Sequence, residues 1–528
     1  MWCASSKAKP DNVSRKKQLV KINTLSLTDF RAFPGPAPTT FELAGKNLLV
    51  YGENGSGKSS LFHALRGLFS YGTPPNLLDL RNSFSNAGIG SVRVHIEFDD
   101  GAATAWEIAA SQPRGVNPFA PANFVGPLAV AVHPGHGPLV NAHVREAAKF
   151  SAMLDYRSLL NTNYKHGDDA INLFEPMVTE LLAGFVDLAT NKSIWELWQA
   201  VQRNLPTVNT HRLVGNALIA CTQFNAAMKR AIELLLPEAQ AILQRLCPNS
   251  LQLVGLPFAG VRYNSAKAYR DKAFVDKLIG LQISYRGLDV DRPQNYLNEA
   301  RLSALALALY LGARLACAPR TTRHLKMLVL DDVLVGLDHS NRLPVLSVLE
   351  EYFADWQVVL LTHDRGWFDL ARQHLRNGWT CYEVYEGDQA ASAPMPIVRK
   401  TQKRPAPALL QKARDLLTMG YSEAAANYVR QAFETGIRAA CELKNIKIPY
   451  KQDLTEHKAQ DLLNGLKAWP GTVTVLKVDW DAVLLQLELM KDVVMNPYSH
   501  PNAPNIPRQE IVDAANAVKN FLDLVKRK

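Results

Sequence analysis

No CxxC pair occurs among the six cysteines of this chain, which stand singly at Cys3, Cys221, Cys247, Cys317, Cys381 and Cys441. That scatter argues against a cysteine zinc site or a disulfide framework and predicts reduced, structural thiols. The opening segment MWCASSKAKPDNVSRKKQLVKINTLSL has no apolar core followed by a small-residue cleavage site. A secretory leader is therefore not expected, and a cytoplasmic location is. Long apolar runs are missing too. The most apolar stretch, YLNEARLSALALALYLGARL at 296–315, is interrupted by Asn298, Glu299, Arg301 and Arg314. Fewer than the roughly 20 unbroken apolar residues of a membrane span remain, so this reads as a helix packed on all sides by protein, with no membrane partner.

What is present is ordinary globular composition, 47% hydrophobic and 20% charged over 528 residues, enough for two to four domains. The net charge of +10 and pI near 9.2 suit a polyanionic partner, and suit equally a soluble protein with a basic surface.

Near the N-terminus KNLLVYGENGSGKSSLFHALRGLF reads as strand, glycine loop and helix. Residues Gly52 to Ser59 fit G-x-x-x-x-G-K-[ST], a P-loop. In such a loop Gly52, Asn54, Gly55 and Gly57 let backbone N–H groups close on a phosphate, and the helix beginning near Ser60 points its positive end at it. Lys58 reaches the β and γ oxygens, and Ser59 ligates Mg²⁺. ATP and Mg²⁺ are thus the expected cofactors. The complementary half is an apolar strand ending in acids, supplied by LKMLVLDDVLVGLD. Asp331 is expected in the Mg²⁺ shell and Asp332 at the attacking water. WQVVLLTHDRGWF then predicts a further buried strand with His363 at its end, in reach of the γ-phosphate.

This order of motifs resembles the ATP-binding-cassette ATPase heads of the SMC, Rad50 and RecF group. The resemblance implies an α/β fold: an ABC-type P-loop ATPase head with a short helical insert, here followed by an all-α C-terminal bundle. LNEAR at 297–301 stands where that group has its signature loop, and the apolar stretch after it is then the signature helix. By the same likeness Asn298 replaces the signature serine and contacts the γ-phosphate bound to a second head, while Gly336 and Asp338 match the D-loop. Glu299 replaces a family glycine. Asp332 replaces the commoner glutamate, as in RecF-like proteins, which implies slow hydrolysis. LDYRSLL at 154–160 is the candidate Q-loop region.

The expected boundaries are 1–165 for the N-terminal lobe, 166–250 for a helical hairpin insert, 251–388 for the C-terminal lobe, 389–408 for a linker and 409–528 for the bundle. The insert is too short for a tethering arm, and its interleaved charges read as a solvated face. In the bundle, helices are expected at 408–419, 422–444 with Ser422 as N-cap, about 455–468, 479–494 and 508–526. The second places Arg430, Glu434 and Arg438 on one face. With His500 of MNPYSHPN, this pattern resembles the ribonuclease domains of ATPase-linked bacterial anticodon nucleases, a HEPN-like bundle. That likeness gives Arg430, Glu434 and His500 a role in RNA cleavage, with Asn496 in support and His457 as an alternative histidine. The bland alternative is an ion-pair ladder and a loop histidine, since Lys491 is the nearest preceding basic residue and the usual HEPN spacing is absent. Over the whole chain the likeness extends to stand-alone ATPases of anti-phage systems. It implies a head-to-head homodimer, a separate nuclease subunit, or tRNA or DNA as partners.

Overall fold

The computed structural model describes residues 19–69, 80–84, 92–108, 142–148, 151–155, 171–248, 251–266, 268–290, 292–318, 324–334, 336–337, 339–375, 378–388, 394–401, 406–448, 458–472, 475–495 and 507–526. The chain forms two compact units, Met1–Lys400 and Thr401–Lys528.

The first unit is organised by a six-stranded sheet. Its strands lie in the order Ile397–Thr401, Trp379–Tyr385, Asn47–Gly52, Gln357–Thr362, Met327–Asp331 and Ala152–Asp155. From Trp379–Tyr385 to Ala152–Asp155 all neighbours run parallel. Parallel strands are covered on both faces, which is why these segments read as unbroken apolar runs. Alternate residues face two different cores. Leu48, Val50, Met327, Val329, Val359 and Leu361 point to one side, where the helix Lys58–Phe69 and a four-stranded antiparallel sheet built on Ile22–Thr28 cover them. Leu49, Leu328, Leu330, Val358 and Leu360 point to the other.

The apolar stretch that opens at Asn298 is the helix Glu299–Cys317, buried on that second side. Among the described residues it is the one helix long and apolar enough to cross a membrane, and most of it is buried within the protein. It crosses the 36-residue helix His211–Leu246 so closely that a Cβ on Gly312 would stand 2.7 Å from the backbone nitrogen of Ala239. Residues 194–246 form two helices, Ile194–Arg203 and His211–Leu246, which pack on each other through Trp198 and Phe224, rings 5.2 Å apart. His211–Leu246 also buries Ala217, Phe224, Ala231, Leu235 and Leu246 in the same core as the central sheet. An amphipathic helix shows one apolar face whether that face meets only its hairpin neighbour or a sheet-bound helix as well, so the pattern did not distinguish them. Short strands follow at Leu251–Gly255, Arg262–Asn264, Gln282–Tyr285 and Leu288–Val290. The span expected as a linker contributes Ile397–Thr401 to the sheet, and the next helix already begins at Ala406.

Among its described residues from Ala406 on, the second unit is built of helices: Ala406–Thr418, Ser422–Leu443, Ala459–Lys467, Lys477–Met490 continued by a π turn to Met495, and Arg508–Lys526. The first helix stops before Gly420, whose φ of +88° suits glycine in the left-handed region. Ser422 is the first helical residue, with Tyr421 in the cap position and no side-chain cap, in place of the expected serine cap. Trp480 anchors the core of the unit, donating its indole N–H to the Leu466 carbonyl at 2.8 Å.

Candidate functional site

The carboxyl ends of three neighbouring parallel strands meet at one edge of the sheet. These are Asn47–Gly52 leading into the P-loop, Gln357–Thr362 leading into His363, and Met327–Asp331 leading into Asp332. Such an edge is where open α/β sheets place their ligands.

The P-loop turns on glycines that other residues cannot replace. Gly55 and Gly57 have φ of +88° and +98°, and a Cβ on Gly57 would meet that of Ala32 at 2.9 Å. The helix then starts at Lys58, whose side chain is buried. The Lys58 ammonium forms an ion pair with Asp332 Oδ2 and lies 3.8 Å from Asp331 Oδ1. Ser60 Oγ accepts the N–H of Ala32 at 3.3 Å, tying the first helical turn to the loop after the first strand.

Asp331 is buried, and burial pushes its carboxyl above the usual carboxylate range. Asp332 and Asp155 push it the same way, while Lys58 and a hydrogen bond with Ser59 hold it back. Its Oδ1 is buried and has no hydrogen-bond partner among the described residues. An orphaned carboxylate oxygen beside a serine hydroxyl fits a hard divalent cation that takes oxygen ligands, and Mg²⁺ is the expected one.

Asp332 adopts φ of +54°, uncommon for a residue with a side chain. Three bonds enforce it. Its N–H donates to the Leu361 carbonyl at 3.1 Å, and its Oδ1 accepts the His363 N–H at 3.0 Å and pairs with His363 Nδ1 at 2.9 Å. Lys58, Asp331, Asp332 and His363 thus lie together, with Asp332 already engaged by both Lys58 and His363.

Lys58 and Asp332 border a cleft of about 480 Å³. Its lining includes Glu53, Asn54, Gly55, Gly57, Lys58, Ser59, Ser60 and Asp332, and two arginines that the motif reading missed, Arg31 and Arg81. Arg31 has φ of +50°, and its buried Nε has no hydrogen-bond partner among the described residues. Burial lowers its pKa from the ordinary arginine value, a direction that an anionic neighbour would reverse. Arg81 Nε is paired with Asp29 Oδ2 at 2.6 Å, and Asn82 donates to the Arg31 carbonyl at 2.6 Å. The only sequence signal was the short DFRAF segment after the first strand.

Asn298 caps its own helix, its side-chain oxygen accepting the Arg301 N–H at 3.1 Å, and it is exposed. A Cβ on Gly336 would come within 2.6 Å of Ser303 Oγ, so the loop after Asp332 lies tightly on the helix Glu299–Cys317. Arg342, also missed, pins that loop by donating to the Leu337 carbonyl at 2.9 Å and to Asp364 at 2.6 Å. Asp338 lies outside the described residues. So does most of the candidate Q-loop region, which begins at the end of strand Ala152–Asp155.

In the second unit Arg430 Nε and Glu434 Oε1 form an ion pair of 3.0 Å, and both line a cavity with Arg438. His457, Asn496 and His500 lie outside the described residues, so the structure does not place a histidine beside this pair.

Residues 24–117 match the family model of the AAA domain. No curated protein matches the chain at a significant level. Among solved structures, one similar chain is an Smc head domain with an extended coiled coil, bound to the C-terminal domain of ScpA and derived from Pyrococcus furiosus. It is 13% identical, with 76% of this chain and 99% of that one covered and a TM-score of 0.40. Another is the recombination mediator protein RecF with ATP, 13% identical, covering 74% and 100% of the two chains with a TM-score of 0.44. These are distant likenesses, and the site rests on its own residues. Together the AAA match, the parallel sheet and the P-loop edge define the first unit as a P-loop ATPase head of mixed α/β build, followed by C-terminal helices.

Proposed function

We propose that the chain binds ATP with Mg²⁺ in the P-loop cleft and hydrolyses it slowly. The observation that carries this reading is the convergence of Lys58, Asp331, Asp332 and His363, with Asp331 Oδ1 buried and lacking a hydrogen-bond partner among the described residues. Ser59 and Asp331 would hold Mg²⁺, which when bound neutralises phosphate charge. The triphosphate takes over the Lys58 ammonium from Asp332 as the P-loop amides close on it. Asp332, still oriented by His363, then turns its released oxygen to the attacking water. Calorimetry of ATP binding with and without Mg²⁺ tests the site. Wild type should bind ATP more tightly with Mg²⁺, and Lys58→Ala should lose most of that affinity while remaining folded by circular dichroism. Equal binding by Lys58→Ala would contradict the reading.

Two heads sandwiching ATP would use Asn298 of one against the nucleotide of the other, and its exposure at a helix start supports that role. The pair would control a nuclease effector through the C-terminal helices in anti-phage defence, a reading supported by the order of motifs and domains. A second reading, a ribonuclease within the bundle, is favoured by the Arg430–Glu434 pair at a cavity. Incubation with total tRNA and ATP separates them: fragments from wild type but not from Arg430→Ala support the second, and no fragments support the first. The net charge of +10 favours a RecF-like role on DNA as a further alternative, which DNA-stimulated hydrolysis would reveal.

A further inference from the structure

The cavity of the helical unit, about 360 Å³, has a lining unlike that of a packing defect. Arg430, Arg438, Lys458 and Lys491 border it, against the single carboxylate of Glu434. They come from three separate parts of the bundle: the helix Ser422–Leu443, the start of the helix Ala459–Lys467, and the π turn Lys491–Met495. Two of the cations are held in place. Arg430 is fixed through Nε to Glu434, which leaves its Nη1 buried and with no hydrogen-bond partner among the described residues. Lys491 is 8% exposed, donates to Gln460 Oε1, and is paired with Asp492 at 3.1 Å, with the Glu488 carboxylate also within reach of its charge. Leaving a buried guanidinium nitrogen without an acceptor is costly, and the missing element is an acceptor carrying negative charge. Ala459 and Gln460, the first residues of their helix, also face the cavity and add the positive end of its dipole. The remaining wall is apolar, formed by Phe433, Ile437, Leu462 and Met495. Its volume is that of a small-molecule site.

We infer that this cavity is a second anion site, distinct from the P-loop, for a small phosphorylated organic molecule of the nucleotide class. The cations take the phosphate, and the apolar wall takes the organic part. The inference does not depend on ATP hydrolysis by the head.

The test counts sites in the full chain by calorimetry with two probes, pyrophosphate and 5′-AMP. Wild type should show two classes of site for pyrophosphate, Lys58→Ala one, and Lys58→Ala combined with Arg438→Gln and Lys458→Gln none. Both of the latter residues are exposed, so their loss should leave the melting temperature unchanged. On the Lys58→Ala background Glu434→Gln should tighten pyrophosphate binding by about tenfold, since it removes the carboxylate that competes for Arg430. 5′-AMP should compete with pyrophosphate at the remaining site. Loss of all binding in Lys58→Ala alone would overturn the inference. So would a site that takes a short oligoribonucleotide but neither probe, which would assign the cavity to a nucleic-acid surface.

Discussion

Replacing Asp332 by asparagine should tighten ATP binding while it suppresses turnover. In the nucleotide-free chain the Lys58 ammonium, 4% exposed, is paired with a carboxylate that is 20% exposed. ATP must displace that carboxylate before Lys58 can grip the phosphates. A hydrogen bond to a charged group contributes about 1.5–3 kcal/mol, and asparagine keeps part of it through its amide oxygen. A net gain of about 1.4 kcal/mol is therefore expected, which is roughly a tenfold lower Kd. Removing a negative charge beside the triphosphate acts in the same direction. Asparagine also accepts the φ of +54° readily, and it can still receive the His363 N–H, so the fold is retained. The loss of the carboxylate that handles the water should lower kcat by about 10²–10⁴-fold. Calorimetry gives the first quantity and a phosphate-release assay the second. A variant with weaker ATP binding and undiminished kcat would refute both the exchange of partners at Lys58 and the role of Asp332.

Asp331→Asn should abolish the Mg²⁺ dependence of ATP binding yet stabilise the nucleotide-free protein near neutral pH. The native carboxyl is raised in the folded state by burial, so it costs stability above that raised value, and the cost disappears as pH falls to the ordinary carboxylate range. The variant's advantage in melting temperature should shrink over the same interval. Gly312→Ala should cost about 1–3 kcal/mol in chemical denaturation, because the new methyl meets the Ala239 backbone. Asn298→Ala should lose about 1 kcal/mol of capping energy together with ATP-dependent pairing of heads, whereas Asn298→Ser should keep both, as read by denaturation and light scattering.

The P-loop was legible because its chemistry demands unusual residues: positive φ at positions 55 and 57 selects glycine, and the phosphates select Lys58. The strands around it were legible because burial on both faces leaves no polar alternation in NLLVYG, MLVLD or QVVLLT. Arg31 and Arg81 were not, since they meet at the cleft only through tertiary pairing with Asp29 and Leu80. The placement of His211–Leu246 against the helix Glu299–Cys317 was equally hidden, because it depends on which apolar face meets Gly312. In the bundle the i, i+4 pair of Arg430 and Glu434 was readable, but the approach of Lys491 to Gln460 depends on how its helices pack.

The most direct test of the ATPase assignment is steady-state phosphate release from ATP by purified wild type and Lys58→Ala, each with and without Mg²⁺. Slow, Mg²⁺-dependent turnover by wild type, absent in a Lys58→Ala protein that remains folded by circular dichroism, is the predicted result. Turnover that persists in Lys58→Ala, or that needs no divalent cation, would contradict it.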